Sequence, residues 1–175
     1  DGIPANEEAH LTFLAGHGVD GILLAASDVV PNAALLQGLG IPLVSMDREI
    51  AVLDCLAATV ETDCRDGAFQ SATYLISRGH ERIAFLSGPV ESSNTRMRLE
   101  GFREAHRQAG LAVDPALIRC GEFQHRFGRQ ATLALLDDAR FTAICCMSDM
   151  LAIGATVALR ERGLTVPDDC AVMGF

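Results

Sequence analysis

Residues 82–109 read RIAFLSGPVESSNTRMRLEGFREAHRQA. The opening RIAFLS (82–87) is an apolar run without alternation, the mark of a strand buried on both faces of a parallel sheet. A turn signal follows at Gly88-Pro89. From residue 96 onward Met97, Phe102 and Ala105 recur against Arg103, Glu104 and Arg107, so one face of a helix is apolar and the other solvated. Gly110 stands where a left-handed residue closes the last carbonyls. The segment reads as a buried strand, a loop, and a helix that packs back on the sheet.

The same alternation recurs outward in both directions. Strands are expected over 21–25, 42–46, 59–61, 117–120, 143–147 and 170–174, with helices over 7–17, 32–38, 66–78, 127–137 and 150–162. Gly79 and Gly163 end two of these helices as Gly110 ends the third, and Pro115 and Pro167 prevent continuation. Strands alternating with helices specify an α/β class with parallel sheets flanked by helices. Residues 47–62 carry no helical period and read as a crossover, which predicts one lobe within 1–62 and another within 63–175. The first residues run straight into a helix and CAVMGF (170–175) stops on a strand that should be central, so a longer parent protein is expected.

The 175 residues are 49% hydrophobic and 21% charged, enough to bury a core. A net charge of -9 repels phosphate, so these residues are not expected to bind DNA by themselves. All 14 basic residues are Arg, which removes lysine Schiff-base chemistry and the lysine-dependent phosphate loop, and leaves a planar, bidentate cation for polar ligands. The 6 cysteines form no C-x-x-C, and Cys145-Cys146 lies in the apolar run AICCM (143–147); reduced, buried thiols in a cytoplasmic protein are expected. No apolar stretch approaches the roughly twenty residues that span a bilayer.

Gly16, Gly18 and Gly21 match G-x-G-x-x-G literally, but a helix precedes them and a strand follows, the reverse of the order a dinucleotide requires. They read as a helix end feeding a strand. No nucleophile elbow, zinc-protease motif or Cys/His metal spacing is present, and His10, His17, His80, His106 and His125 show no ligand grouping. Neither catalysis nor a cofactor is expected.

Five segments, VDGILLA (19–25), GIPLVSMDR (40–48), RGHERIAFLSGP (78–89), RLEGFREAHRQAGL (98–111) and SDMLAIGATVALRERGLTVPDDCAVMGF (148–175), together resemble the effector-binding core of the lactose/galactose-repressor family of bacterial transcription regulators. The resemblance implies a two-lobed fold like that of periplasmic sugar-binding proteins, with a small molecule in the cleft between lobes. It also implies a homodimer that meets operator DNA through an N-terminal headpiece not contained in these residues. A sugar or sugar derivative is the expected effector. A purine or nucleoside effector, and a periplasmic sugar-binding protein of the same fold, are the alternatives.

In open parallel sheets, ligands sit beyond the carboxyl ends of strands, so polar residues just after apolar runs are the candidates. Asp47 and Arg48 follow PLVSM; the resemblance places an effector-contacting acid at Asp47, while a surface ion pair is the plainer reading. Arg98 is read as opening a helix, where a cation opposes the dipole unless a ligand compensates it; the resemblance makes it a clamp on the effector. Ser148 and Asp149 end AICCM and begin a helix, so they cap it, and the resemblance adds effector hydroxyls to Asp149. Phe123 follows another strand and can cover a sugar or base face. Asp63 is either ligand-facing or a helix cap, and Ser92 and Asn94 lie in the loop after Gly88-Pro89.

Overall fold

The computed structural model describes residues 4–25, 35, 38, 40–47 and 57–175. It divides into two compact units, Asp1–Thr62 and Asp63–Phe175.

In the first unit, helix α1 (Pro4–Gly16) precedes strands β1 (Ile22–Leu24), β2 (Leu43–Met46) and β3 (Ala57–Val60). These form a parallel sheet in the order β1-β2-β3, with Leu43 opposite both Ile22 and Ala57. Its core is Leu11 from the helix against Ile22 and Leu43. Gly18, at φ +66°, turns the chain from the end of α1 into β1, which is the role expected for this glycine run. The third strand begins two residues earlier than its apolar pattern suggested. The helix expected over 32–38 lies outside the described residues apart from positions 35 and 38.

The second unit runs α2 (Cys64–Ser77), β4 (Ile83–Ser87), α3 (Ser93–Gln108), β5 (Ile118–Cys120), α4 (His125–Asp138), β6 (Ala143–Cys146), α5 (Asp149–Glu161) and β7 (Ala171–Met173). The sheet order is β5-β4-β6-β7, all parallel. Strands β4 and β6 are buried throughout. Because side chains alternate along a strand, Ile83 and Phe85 join Ala143 and Cys145 beneath Ala68, Ala72 and Leu75 of α2 and Phe102 and Ala105 of α3. Ala84 and Leu86 face the other way with Ile144 and Cys146, under Leu135 of α4 and Leu151, Ala155 and Leu159 of α5.

Each helical layer is a close pair. Gly101 lets α3 approach α2 so nearly that a Cβ there would overlap the Arg65 carbonyl oxygen, and Gly154 of α5 stands in the same relation to the His125 carbonyl oxygen of α4. The buried thiols have no disulfide partner among the described residues, and burial pushes Cys145 up to about 12. Since only the thiolate reacts, alkylating reagents at pH 8 should leave Cys145 and Cys146 unmodified in the native protein and modify them after denaturation, as read by peptide mass spectrometry. Gly101→Ala should lower stability by about 1–3 kcal/mol, because the obstruction is backbone and cannot rotate away; urea unfolding measures it.

Candidate functional site

The chain leaves the carboxyl ends of β4 and β6 in opposite directions. From β4 it enters α3 on the Phe85–Phe102 face, and from β6 it enters α5 on the Leu151–Ala155 face. Such a reversal between neighbouring strands opens a crevice at which ligands of parallel sheets bind.

Arg98 reaches into this region from α3. Its Nη1 donates to the Met147 carbonyl oxygen at 2.9 Å, which ties α3 to the end of β6. The guanidinium carbon lies 4.3 Å from the Phe175 ring centroid and 5.7 Å from that of Phe123. Two aromatic faces thus flank one planar cation, a favourable electrostatic arrangement. The Phe123 ring rests directly on Gly88 and the Phe175 ring on Gly67, and in both places a Cβ would collide with the ring. The Arg98 Nε is buried without an acceptor, as are the hydroxyls of Ser87, Ser92 and Thr95.

The helix-dipole reason given to Arg98 is corrected. Helix α3 starts at Ser93 with Ser92 as its cap residue, so Arg98 lies in the second turn, where the dipole has faded. What marks Arg98 is its position between two rings beside the end of β6. Arg96 turns away and donates to the Glu91 carbonyl oxygen from an exposed position.

Ser148 caps α5, its Oγ accepting from the Leu151 backbone N–H at 3.3 Å. Asp149 is exposed, and its Oδ1 lies over the bare Cα of Gly174, so this acid also stands near the end of β7. Ser92 is the cap residue of α3 but makes no side-chain cap bond, and Asn94 is half-buried in the first turn. Asp63 is a helix cap, accepting from the Asp66 N–H at 2.9 Å. Arg98, Phe123, Ser148 and Asp149 therefore collect at the carboxyl edge of this one sheet.

Asp47 belongs to the other unit. Its Oδ1 accepts from the backbone N–H and the hydroxyl of Thr62 at 3.0 and 2.9 Å, and its backbone takes a φ of 58°. A short carboxylate side chain tolerates that left-handed conformation better than most. The carboxylate here joins the ends of β2 and β3; Arg48, and with it the ion-pair reading, lies outside the described residues. Phe175 was not singled out from the sequence, although it follows the run CAVMG in the same way that Asp47 follows PLVSM. The strand-end rule applied to aromatics would have found it.

The family model for a periplasmic binding protein-like domain matches residues 72–175. The chain is a periplasmic-binding-protein-like domain. It is 34% identical over 170 residues to the HTH-type transcriptional repressor CytR of Escherichia coli K12, covering 97% of this chain and 50% of that protein. It is 33% identical over 175 residues to the HTH-type transcriptional repressor PurR of Histophilus somni, covering 98% of this chain and 52% of the relative. Among solved structures, a LacI-family regulatory protein from Chloroflexus aggregans superposes with a TM-score of 0.83 at 36% identity, covering 98% of this chain and 62% of that one. A complex of the transcriptional regulator CelR with cellobiose gives a TM-score of 0.83 at 33% identity, covering 98% and 53%. The chain spans about half the length of the curated relatives it matches.

The cap assignments carry a stability signature that ligand contacts do not. Ser148→Ala and Asp63→Ala should each lower unfolding free energy by about 1 kcal/mol, whereas Asp149→Asn, on an exposed side chain, should stay within about 0.5 kcal/mol. Urea titration of the three variants separates the roles.

Proposed function

We propose that this domain is the effector-binding and dimerisation core of a cytoplasmic bacterial transcription repressor, that it senses a sugar or sugar derivative, and that it makes and breaks no covalent bond. The placement of the Arg98 guanidinium between Phe123 and Phe175 at the sheet crevice carries the reading. Apolar ring faces suit the C–H faces of a sugar, while the guanidinium donates and the ionised Asp149 accepts hydroxyl bonds. The same rings suit a planar base, which keeps a purine or nucleoside effector as the second reading. Asp47, Asp63, Ser92, Asn94, Ser148 and Arg48 are proposed as further effector contacts. The lobes are assigned to residues 1–62 and 63–175.

Operator binding belongs in this reading to a DNA-binding segment outside these residues, as the names of the HTH-type relatives suggest. A dimer would deliver two such segments to two half-sites. The outer face of α5 supports dimerisation: Met150, Ile153 and Val157 are 45%, 55% and 40% exposed, and their spacing sets them along one stripe.

A thermal-shift screen of the intact protein against sugars, sugar derivatives and purines should show a raised melting temperature for one class. In calorimetry with that compound, Arg98→Ala and Asp149→Ala should each weaken binding at least tenfold, about 1.4 kcal/mol, while operator binding without effector persists. Unchanged affinity in both variants removes these residues from the site. Ile153→Asp should shift the intact protein from dimer to monomer in sedimentation at micromolar concentration.

A further inference from the structure

Several glycines of the second unit leave no room for a side chain, and they differ in what stands in the way. At Gly101, Gly128 and Gly154 the atom nearest a would-be Cβ is a backbone carbonyl oxygen, of Arg65, Leu151 and His125, so these glycines bring helices together. At Gly88 the three nearest atoms all belong to the Phe123 ring, at 2.0, 2.2 and 2.6 Å. The φ of Gly88 lies outside the left-handed region, so its backbone would accept alanine. What excludes a side chain at position 88 is an aromatic ring.

That ring rests where two braced loops meet. Gly88 directly follows β4 and is buried, whereas Phe123 lies three residues past the end of β5 and is half-buried. The Gly121 N–H donates to the Ser87 carbonyl oxygen at 3.1 Å, which ties the loop of Phe123 to the residue before Gly88. On the other side of Gly88, the Ser92 N–H closes a turn on the Pro89 carbonyl oxygen at 3.1 Å, and Arg96 donates to the Glu91 carbonyl oxygen. Backbone bonds therefore hold the seat, while the ring is a half-exposed side chain that can rotate. A methyl group added at 88 moves the ring and leaves the seat in place. Since ordinary contact begins near 3.4 Å, the nearest ring carbon must retreat by more than an ångström.

We propose that Gly88 is a positioning residue of the effector site: its bare Cα seats the Phe123 ring where it can cover the flat apolar face of a sugar or base. The inference rests on the effector-binding reading above and adds to it a residue that acts only through Phe123. A ring face recognises a ligand by shape and contact, and binding geometries tolerate displacements of only about 0.5 Å. The shift that a side chain at 88 imposes exceeds that tolerance. The missing side chain, rather than any bond made by Gly88, thus sets how the ligand fits.

The test is a double-mutant cycle on the intact protein. Calorimetry with glucose, galactose, ribose, cellobiose, adenosine, cytidine and hypoxanthine identifies a compound that binds. That compound is titrated into Gly88→Ala, Phe123→Ala and the double variant, with unfolding midpoints measured on all three. Phe123→Ala should weaken binding at least tenfold and Gly88→Ala at least fivefold, but Gly88→Ala should cost less than twofold once the ring is gone. A purely structural glycine gives no such rescue. Losses that multiply in the double variant, or Gly88→Ala binding like the parent while Phe123→Ala is impaired, overturn the role of Gly88 and leave the effector-binding reading standing. A Gly88→Ala chain that fails to fold also overturns it, since the ring was then not free to move aside and position 88 serves the core. Unchanged binding by Phe123→Ala removes the ring and Gly88 from the site and leaves the reading to Arg98 and Asp149. Binding by no compound of the panel overturns both.

Discussion

Strands β4 and β6 are buried along their whole length, and a parallel pair buried on both faces requires a helical layer on each side. Burying Phe85 against Phe102 and Leu86 beneath α4 and α5 contributes on the order of 1.5–3 kcal/mol per side chain. Serving both layers forces the chain to leave β4 toward one face and β6 toward the other. The crevice at their carboxyl ends is thus a consequence of core packing. Residues placed there are held by the most buried elements of the molecule.

Arg98 shows how that rigidity is used. A guanidinium on a flexible stem loses rotamer freedom whenever it is fixed, but here the Met147 carbonyl and two ring faces already hold it. In the proposed effector role, these contacts supply much of the ordering that binding demands. Gly67 and Gly88 make the arrangement possible, since any side chain at either position would displace the ring that rests on it. Two residues without chemistry of their own therefore set the geometry of a third that has it.

Apolar runs and glycine stops located the second unit's strands and helices well, because burial on both faces leaves little freedom in composition. Gly79, Gly110 and Gly163 adopt φ values of 92°, 71° and 73°, as helix-closing residues should. Helix starts were less legible. α3 begins at Ser93 although its apolar face first appears at Met97, because the residue its first turn buries is the polar Thr95. That misplacement produced a dipole argument for Arg98 that the structure does not support. The ring of Phe175, its packing on Gly67 and the Met147 carbonyl were not legible, since each is a contact between elements far apart in sequence. Asp63 and Ser148 were legible as caps because capping is local, whereas the Asp47–Thr62 bonds, spanning a crossover, were not.

For the regulatory reading, the distribution of these residues between the two units imposes a thermodynamic condition. A ligand shifts a conformational equilibrium only by its difference in affinity for the two states. Arg98, Phe123, Phe175 and Asp149 all belong to the unit Asp63–Phe175. If that unit moves as one body, a ligand held by it alone binds every arrangement of the protein equally and transmits nothing. Regulation by this domain therefore requires effector contacts from outside that unit. Asp47, fixed by Thr62 at the ends of β2 and β3, is the described candidate in the other. Its replacement by Asn keeps an oxygen for the Thr62 bonds and removes the charge. In the intact protein Asp47→Asn should therefore weaken the effector's influence on operator affinity more than it weakens binding itself, because only contacts that differ between states contribute to coupling. Comparing operator affinity with and without saturating effector, beside calorimetry on the same variant, measures the two effects separately; an undiminished effector response assigns the coupling to residues other than Asp47.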